Sequence, residues 1–418
     1  MYTAIYSKMG LKPLSRPEKF RTLCDKKTCY QDCGNNGHGE SNFLPKSSPG
    51  NVNDIRENRR IKKILIIKLC CVGDILFTTP ALRALRRGFP EAHLAYLVGS
   101  WSKEIIEDNP NLDEIIIYDA PAHASSRWRA FIRTLSCLRK LRQKKFDLAV
   151  IFHRTSFSGL FALLAGIPKR IGFDYGGLGR LLTRKVVFDA SKHEVDRYLD
   201  VVTSLGIESA GRTTEMKVMA KEENYVSNLL QTHGVKTVDR VVAILAGGGK
   251  NPGASMPIKR WQAEKFARLA DTIIEKYKVK VIFLGGPGDE EVVKKVVSGM
   301  KNESINLVGK TNFKQLAAIL THCQLFIGGD SGPLHIAAAV GTPTIGIFGP
   351  SDPRLVAPKG ENHLVIWKHV SCSPCYQPET VRTNFDFSIC PRGIPECMEK
   401  IMVEDILAAV REQMEEND

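Results

Sequence analysis

Residues 325–353 read LFIGGDSGPLHIAAAVGTPTIGIFGPSDP, and this stretch decides the fold class. An apolar, β-rich run at Leu325–Ile327 meets a glycine pair, then Asp330-Ser331-Gly332. A helix of small residues is expected over Pro333–Val340, stopped by Gly341. A second apolar strand, Thr344–Phe348, ends in Gly-Pro-Ser-Asp-Pro. Strand, helix and strand in this order form a βαβ crossover with parallel strands. The turn before the helix leaves free backbone N–H groups and the positive end of the helix dipole at one point, which suits a diphosphate. Pro333 fits the first helical turn, where its missing N–H costs little. His335 lies within reach of the same anion.

Working outward, the same alternation runs from Lys62 onward. Strands are expected at 63–68, 93–98, 114–118, 147–152 and 169–173, with helices between them. A helix near 194–205 and a polar stretch near 208–239 separate the halves. Strands resume at 241–245, 279–284 and 305–308, before the two quoted above. Such alternation predicts an α/β chain with parallel sheets covered on both faces. At 418 residues the chain exceeds one typical core, so two Rossmann-like domains are expected, over 59–225 and 235–402. A last helix is expected over 403–418, and by analogy with similar two-domain folds it is a candidate to pack back on the first domain. Residues 1–58 are polar, lack periodicity and are expected to be poorly ordered. Their Cys24, Cys29 and Cys33, with His38 nearby, are metal-ligand candidates on an unfamiliar spacing.

Composition narrows the function classes. Hydrophobic content of 43% and charged content of 25% describe a soluble globular protein. No apolar run approaches the roughly 20 residues of a membrane span. The N-terminus lacks the hydrophobic segment and cleavage site of a secretory signal, so a cytoplasmic location is expected. The net charge of +14 favours anionic partners. No nucleic-acid motif is evident, which leaves anionic membrane or a phosphorylated glycolipid. The densest basic segment, Arg127–Lys145, places Trp128, Phe131, Leu135, Leu138 and Leu141 at helical spacing. It reads as a helix packed on a sheet with its basic back toward solvent or lipid head groups.

Two further motifs matter. One is Lys68-Leu-Cys-Cys-Val-Gly-Asp74-Ile-Leu-Phe-Thr-Thr-Pro80, and the other is Lys259-Arg260-Trp261 before a helix. With the segment 325–353, they resemble the bacterial ADP-heptose:lipopolysaccharide heptosyltransferases, glycosyltransferase family 9. The family pattern Asp-(Ser/Thr)-Gly-x-x-His, small-residue helix, strand, Gly-Pro-(Ser/Thr)-Asp-Pro is met at every named position. The resemblance spans roughly residues 60–415 and implies the GT-B architecture, two Rossmann-like domains facing an inter-domain cleft.

The resemblance also implies roles. Asp74 matches the family's proposed general base, although an aspartate there also suits a helix N-cap. Gly73 lets the backbone turn closely, and Thr78 and Thr79 are expected to bond acceptor hydroxyls. Lys259 resembles the lysine that contacts the donor phosphates. Asp330 is expected on the donor sugar hydroxyls, with Ser331, Gly332 and His335 on the diphosphate. Gly247 and Gly248 are expected to approach the nucleotide. Gly285, Gly286 and Asp289 are expected near the adenosine. No Asp-x-Asp occurs in the chain, so catalysis is expected to need no metal and to invert the anomeric centre in one displacement. The expected reaction moves heptose from ADP-heptose to the lipid A-core at the cytoplasmic face of the inner membrane, with the enzyme bound peripherally. Alternatives are a protein O-heptosyltransferase, a relative using another nucleotide sugar, and, in another class, a sugar-nucleotide epimerase or a non-catalytic binding protein.

The C-terminal cysteines form a separate motif. Cys372, Cys375, Cys390 and Cys397 give C-x2-C-x14-C-x6-C, a candidate tetrahedral site for structural zinc or iron. A similar cysteine finger occurs in some relatives, including iron-binding heptosyltransferases that modify autotransporter proteins. Reduced cysteines in a loop, or a disulfide, remain the alternatives. Cys70, Cys71, Cys137 and Cys323 lie in apolar segments and are expected in the core.

Overall fold

The computed structural model describes residues 61–119, 127–175, 178–251, 254–376 and 388–415, all within one compact unit, Gly50–Asp418. The N-terminal extension with Cys24, Cys29, Cys33 and His38 lies outside the described residues.

The first half holds β1 (Lys63–Ile67), α1 (Val72–Leu76), α2 (Thr79–Gly88), β2 (His93–Val98), β3 (Glu114–Ile117), α3 (Arg127–Lys144), β4 (Leu148–Ile151), α4 (Ser156–Leu164), β5 (Lys169–Asp174) and β6 (Arg184–Val187). Helices α5 (Glu194–Thr203) and α6 (Ala220–Thr232) follow. Its six strands pair in the order β3-β2-β1-β4-β5-β6, all parallel. Ile64 and Ile66 of β1 pack in the cluster on one face, Leu65 and Ile67 in the cluster on the other. Burial on both faces explains why β1 reads as an unbroken apolar run.

The second half holds β7 (Val241–Leu245), α7 (Ala263–Tyr277), β8 (Lys280–Phe283), α8 (Glu290–Ser298), β9 (Ile305–Asn306), α9 (Phe313–Thr321), β10 (Leu325–Gly329), α10 (Gly332–Ala339), β11 (Thr344–Phe348), β12 (His363–Trp367) and α11 (Val403–Glu415). Its sheet repeats the first, in the order β9-β8-β7-β10-β11-β12, again parallel. All ten expected strands are present, within a few residues of the expected bounds. Strands β6 and β12 were not expected. Both are edge strands of mixed exposure; β6, RKVV, lacks the apolar run of a central strand, whereas β12, HLVIW, carries one that the sequence reading passed over.

Two connections differ from expectation. Within the polar stretch 208–239, α6 forms a helix whose buried Val226 and Leu230 face the core, and it packs on α9 of the second half. The last helix does not cross to the first half. Val403, Ile406, Ala409, Val410 and Met414 of α11 join the core of the second sheet, and α11 lies against α7, β11 and β12. The entry to this helix is pinned where Trp261 Nε1 donates to the Ile401 carbonyl at 2.9 Å. Only Met402 separates that anchor from the helix, too little chain to reach the other sheet.

Ile406 is fully buried. Ile406→Ala is expected to lower the unfolding free energy by about 2–5 kcal/mol, read by urea denaturation. A loss within error of zero would remove α11 from the core of the second half.

Candidate active site

In each sheet the strand order reverses beside the first strand, between β1 and β4 and between β7 and β10. Ligands of open parallel sheets bind outside the carboxyl ends of the strands at such points. The chain leaving β1 carries Asp74, and the chain leaving β4 carries His153 and Arg154. In the second sheet β7 leads to Gly247 and Gly248, and β10 leads to Asp330 and Ser331.

Asp74 lies in the first turn of α1, whose N-cap is Cys71. Asp74 is therefore not the cap. Its Oδ2 accepts from Lys68 Nζ at 2.8 Å, and a third of its side chain remains exposed while Lys68 is buried. Lys68 Nζ also lies 5.5 Å from the centre of the Tyr198 ring. Burial pushes the Asp74 carboxyl up, but Lys68, then Arg154 and His153, outweigh it and hold the group below its ordinary value. Burial likewise favours neutral Lys68, and Asp74 with Tyr198 reverses this, so the ammonium is held well above the usual lysine value. Arg154 is fixed by Glu194 at 2.9 Å. His153, Arg154, Thr155 and Tyr175 line a small cavity at the carboxyl ends of β4 and β5.

The second cluster surrounds α10. Asp330 Oδ2 accepts from Lys259 Nζ at 2.7 Å and from Ser351 Oγ at 2.5 Å. Oδ1 lies 3.5 Å from His335 Nε2. Burial pushes the Asp330 carboxyl up, yet Lys259 and His335 hold it far below the usual carboxylate range. His335 Nε2 faces this carboxylate, which assigns its proton there. Its buried Nδ1 has no hydrogen-bond partner. Ser331 is the N-cap of α10 but makes no side-chain cap; its Oγ donates back to the Gly329 carbonyl at 3.2 Å. The first turn of α10 therefore lacks a side-chain acceptor, which leaves its dipole available to an anion.

The two clusters meet directly. A Cβ at Gly73 would lie 2.7 Å from His335 Cδ2, and one at Gly332 would lie 2.9 Å from Val72 Cγ1. Phe77 packs edge-on against His335 with ring centres 4.8 Å apart. Nearby, His193 Nδ1 accepts from the Val195 amide at 3.2 Å, so Nε2 carries the proton and donates to the Ala357 carbonyl at 2.9 Å. Burial lowers the His193 pKa to about 4, so this clasp between the halves is neutral.

The remaining expected residues are placed as follows. Asp289 Oδ1 accepts from the Gly248 amide at 2.9 Å and from Arg260 at 3.2 Å, and Oδ2 accepts from the Gly286 amide at 3.0 Å. It ties the loop after β7 to the loop after β8, which brings Gly247, Gly248, Gly285 and Gly286 together. Thr78 and Thr79 correct the expectation of acceptor contacts, because both are fully buried. Thr78 Oγ1 donates to the Ile75 carbonyl at 2.7 Å. Thr79 Oγ1 donates to the Leu76 carbonyl at 2.8 Å and accepts from the Glu215 amide at 3.0 Å. These hydroxyls close the end of α1.

Cys372, Cys375, Cys390 and Cys397 are free thiols near enough to influence one another's ionisation. Among the described residues, however, no group of three or more His, Cys, Asp or Glu is arranged to hold a metal ion. Cys390 Sγ donates to the Ile394 carbonyl, and Cys397 is turned into the core beneath Gly349. Of the other cysteines expected in the core, Cys323 is buried, Cys71 and Cys137 are half-buried and Cys70 is exposed.

Five residues of these clusters had no assigned role in the sequence reading: Lys68, His153, Arg154, Ser351 and Tyr376. The first four follow strand ends at or beside the reversal points, which was the available signal. Tyr376 had none. It enters because the Cys375 and Tyr376 amides donate to the Pro350 carbonyl at 3.0 and 2.9 Å, which lays the tyrosine ring 3.9 Å from Lys259 Nζ.

Comparison with known proteins bears on family and fold. The profile of Glycosyltransferase family 9 (heptosyltransferase) matches residues 134–385. Lipopolysaccharide heptosyltransferase 3 of Escherichia coli K12 is 28% identical over 354 residues, 82% of this chain and 96% of that one. The crystal structure of a family 9 glycosyltransferase from Veillonella parvula superposes with a TM-score of 0.73 at 27% identity, covering 85% of this chain and 98% of the other. The Escherichia coli ADP-heptose lipopolysaccharide heptosyltransferase II has the same fold, with a TM-score of 0.68 at 21% identity over 85% of this chain and all of that one. With two matched parallel sheets and a profile match over more than half its length, the chain belongs to glycosyltransferase family 9, the heptosyltransferases, and is a GT-B glycosyltransferase.

Proposed function

We propose that this enzyme transfers a heptose from ADP-heptose to the lipopolysaccharide inner core, with inversion and without a catalytic metal. Residues 59–225 hold the acceptor and residues 235–402 the nucleotide sugar. One observation carries the reading: α1, the helix that carries Asp74, abuts the uncapped first turn of α10 at Gly73 and Gly332, and Lys259, Asp330 and His335 converge on that turn. The relatives' names, which include lipopolysaccharide heptosyltransferase and ADP-heptose, support the choice of sugar and acceptor.

The chemistry follows from charge. Asp74 takes the proton of the acceptor hydroxyl as that oxygen bonds the anomeric carbon. The bond to the diphosphate breaks on the opposite face in the same step, so configuration inverts. Negative charge grows on the departing ADP. The α10 N-terminus and the Lys259 ammonium stabilise it there. Lys259 is held by Asp330 before the donor arrives, so a phosphate oxygen either shares this ammonium or displaces the carboxylate toward sugar hydroxyls. Lys68, fixed on one oxygen of Asp74, orients the carboxylate and keeps it ionised.

The acceptor distinguishes this reading from its alternatives. ADP release that depends on a truncated lipid A-core supports it. Release that depends on a polypeptide indicates protein O-heptosylation, and epimerisation without any acceptor indicates the other class.

Asp74→Asn is expected to lower turnover by ~100-fold or more while leaving the calorimetric affinity for ADP-heptose near wild type; near-normal turnover would remove Asp74 as the base. Because the Asp74 carboxyl lies below its ordinary value of about 3.9, the base form is present throughout the neutral range. A profile of kcat/KM should therefore show no acid limb between pH about 5 and 8, and a limb near 6 would assign proton removal to another group. Activity should also persist in EDTA, because Lys259 and a helix terminus stand where an Asp-x-Asp metal site would act. Loss of activity restored by Mg2+ or Mn2+ would refute that part.

A further inference from the structure

The first half of α3 exposes an apolar stripe. Trp128, Phe131, Ile132 and Leu135 are 69, 52, 49 and 44% exposed, and their i, i+3, i+4, i+7 spacing puts them on one face. The Trp128 and Phe131 rings stack with centres 5.8 Å apart. A different face holds the helix to the sheet: Ala130, Leu138 and Leu141 are buried, and Thr134 Oγ1 is 3.0 Å from the Tyr118 hydroxyl. The sequence reading put Trp128, Phe131 and Leu135 on the packed face, and the structure corrects this.

Charge borders the stripe on one side and at its C-terminal end. At 3.6 residues per turn it continues to positions 139 and 142, which are Arg139 and Arg142, while Arg129, Arg133 and Lys140 flank it. The helix RWRAFIRTLSCLRKLRQK contains no carboxylate. A short apolar face bordered by guanidinium groups, with nothing to repel an anion, suits the head-group boundary of an anionic bilayer, where the rings enter and the arginines pair with phosphates.

The fold gives the stripe its place. Helix α3 joins parallel β3 to β4 and so runs opposite to the strands, which sets its N-terminal half at their carboxyl ends, the end that carries Asp74. Helix α4 starts at the same end of the sheet and exposes Leu160, Leu163 and Leu164. Its Phe157 stacks on Tyr118, the residue that also meets α3. Among the described residues no helix is long and apolar enough to cross a membrane.

We propose that the Trp128–Leu135 stripe of α3, with its arginine border, docks this enzyme on an anionic lipid bilayer and brings the acceptor half of the site to the membrane surface. The orientation rests on the reading that the acceptor is lipid-linked; the docking itself is measured without any acceptor.

The test is sedimentation of the full chain with vesicles of phosphatidylcholine, with and without phosphatidylglycerol, while following tryptophan emission. The protein is expected to bind the anionic vesicles, to shift its emission to the blue there, and to dissociate as salt rises. Trp128→Ser/Phe131→Ser/Leu135→Ser is expected to bind roughly tenfold or more weakly, while its melting temperature and its turnover of a soluble truncated core stay near wild type. Arg129→Glu/Arg133→Glu keeps the stripe and is expected to lose the preference for anionic lipid. Unchanged binding of the triple variant, equal binding to neutral vesicles, or no binding by the wild type would each overturn the proposal. So would gel filtration in which the triple variant alone dissociates a dimer, since a second copy would then own the face. Absent turnover by the wild type on the soluble core would instead overturn the glycosyl-transfer reading.

Discussion

Two helix N-termini from opposite halves of the chain are pressed together at the carboxyl ends of two sheets, and glycine is what permits it. Side chains at Gly73 and Gly332 would collide with His335 and Val72. A larger residue at either position would displace these side chains or move α1 and α10 apart, and so shift Asp74 relative to the first turn of α10. The Phe77–His335 packing and the neutral His193–Ala357 clasp lie at the same junction. The two halves thereby share one core cluster, which contains Val72 and Phe77 from one side and Leu334 and Ile336 from the other.

Each side of that junction holds a Lys–Asp pair. Lys68 and Asp74 belong to the first half, Lys259 and Asp330 to the second. Both lysines are buried, and the pairs differ in the exposure of their carboxylates. Lys259 and Asp330 are both about nine-tenths buried. Removing one partner of such a pair leaves an uncompensated charge and costs about 3–5 kcal/mol, so substitutions there disturb folding together with chemistry. Asp74 keeps a third of its side chain exposed, but its partner Lys68 is buried, so a neutral amide at position 74 leaves the Lys68 ammonium without its counter-charge.

The loop carrying Cys372 and Cys375 is joined to this arrangement. Its base is bonded to the Gly349-Pro350-Ser351 turn: Ser373 Oγ donates to the Gly349 carbonyl at 2.6 Å, and two amides reach Pro350. The same turn supplies Ser351 to Asp330, and the loop supplies Tyr376 over Lys259. Movement of this segment would therefore reach the Lys259–Asp330 pair directly.

Much of the architecture was legible in the sequence because the central strands are buried on both faces. Runs such as KILII and VVAIL, short, rich in β-branched residues and bounded by turn signals, suit the middle of a covered sheet. The strand-to-helix turns that carry Asp74 and Asp330 were legible for a related reason: glycine and proline at fixed offsets mark such turns, and these lie at the carboxyl ends of β1 and β10. Edge strand β6 escaped because half-exposed residues need no apolar pattern, while the apolar run of β12, HLVIW, was passed over. Thr78 and Thr79 were misread because a hydroxyl near a motif looks the same whether it faces the cleft or caps a carbonyl. The partnership of Lys68 with Asp74, the tyrosine over Lys259 and the exposed face of α3 depend on which side chains the fold brings together or leaves uncovered. Periodicity can state that Trp128, Phe131 and Leu135 share a face of a helix. Only the packing of that helix on the sheet, through Ala130, Leu138 and Leu141, decides that the shared face points to solvent.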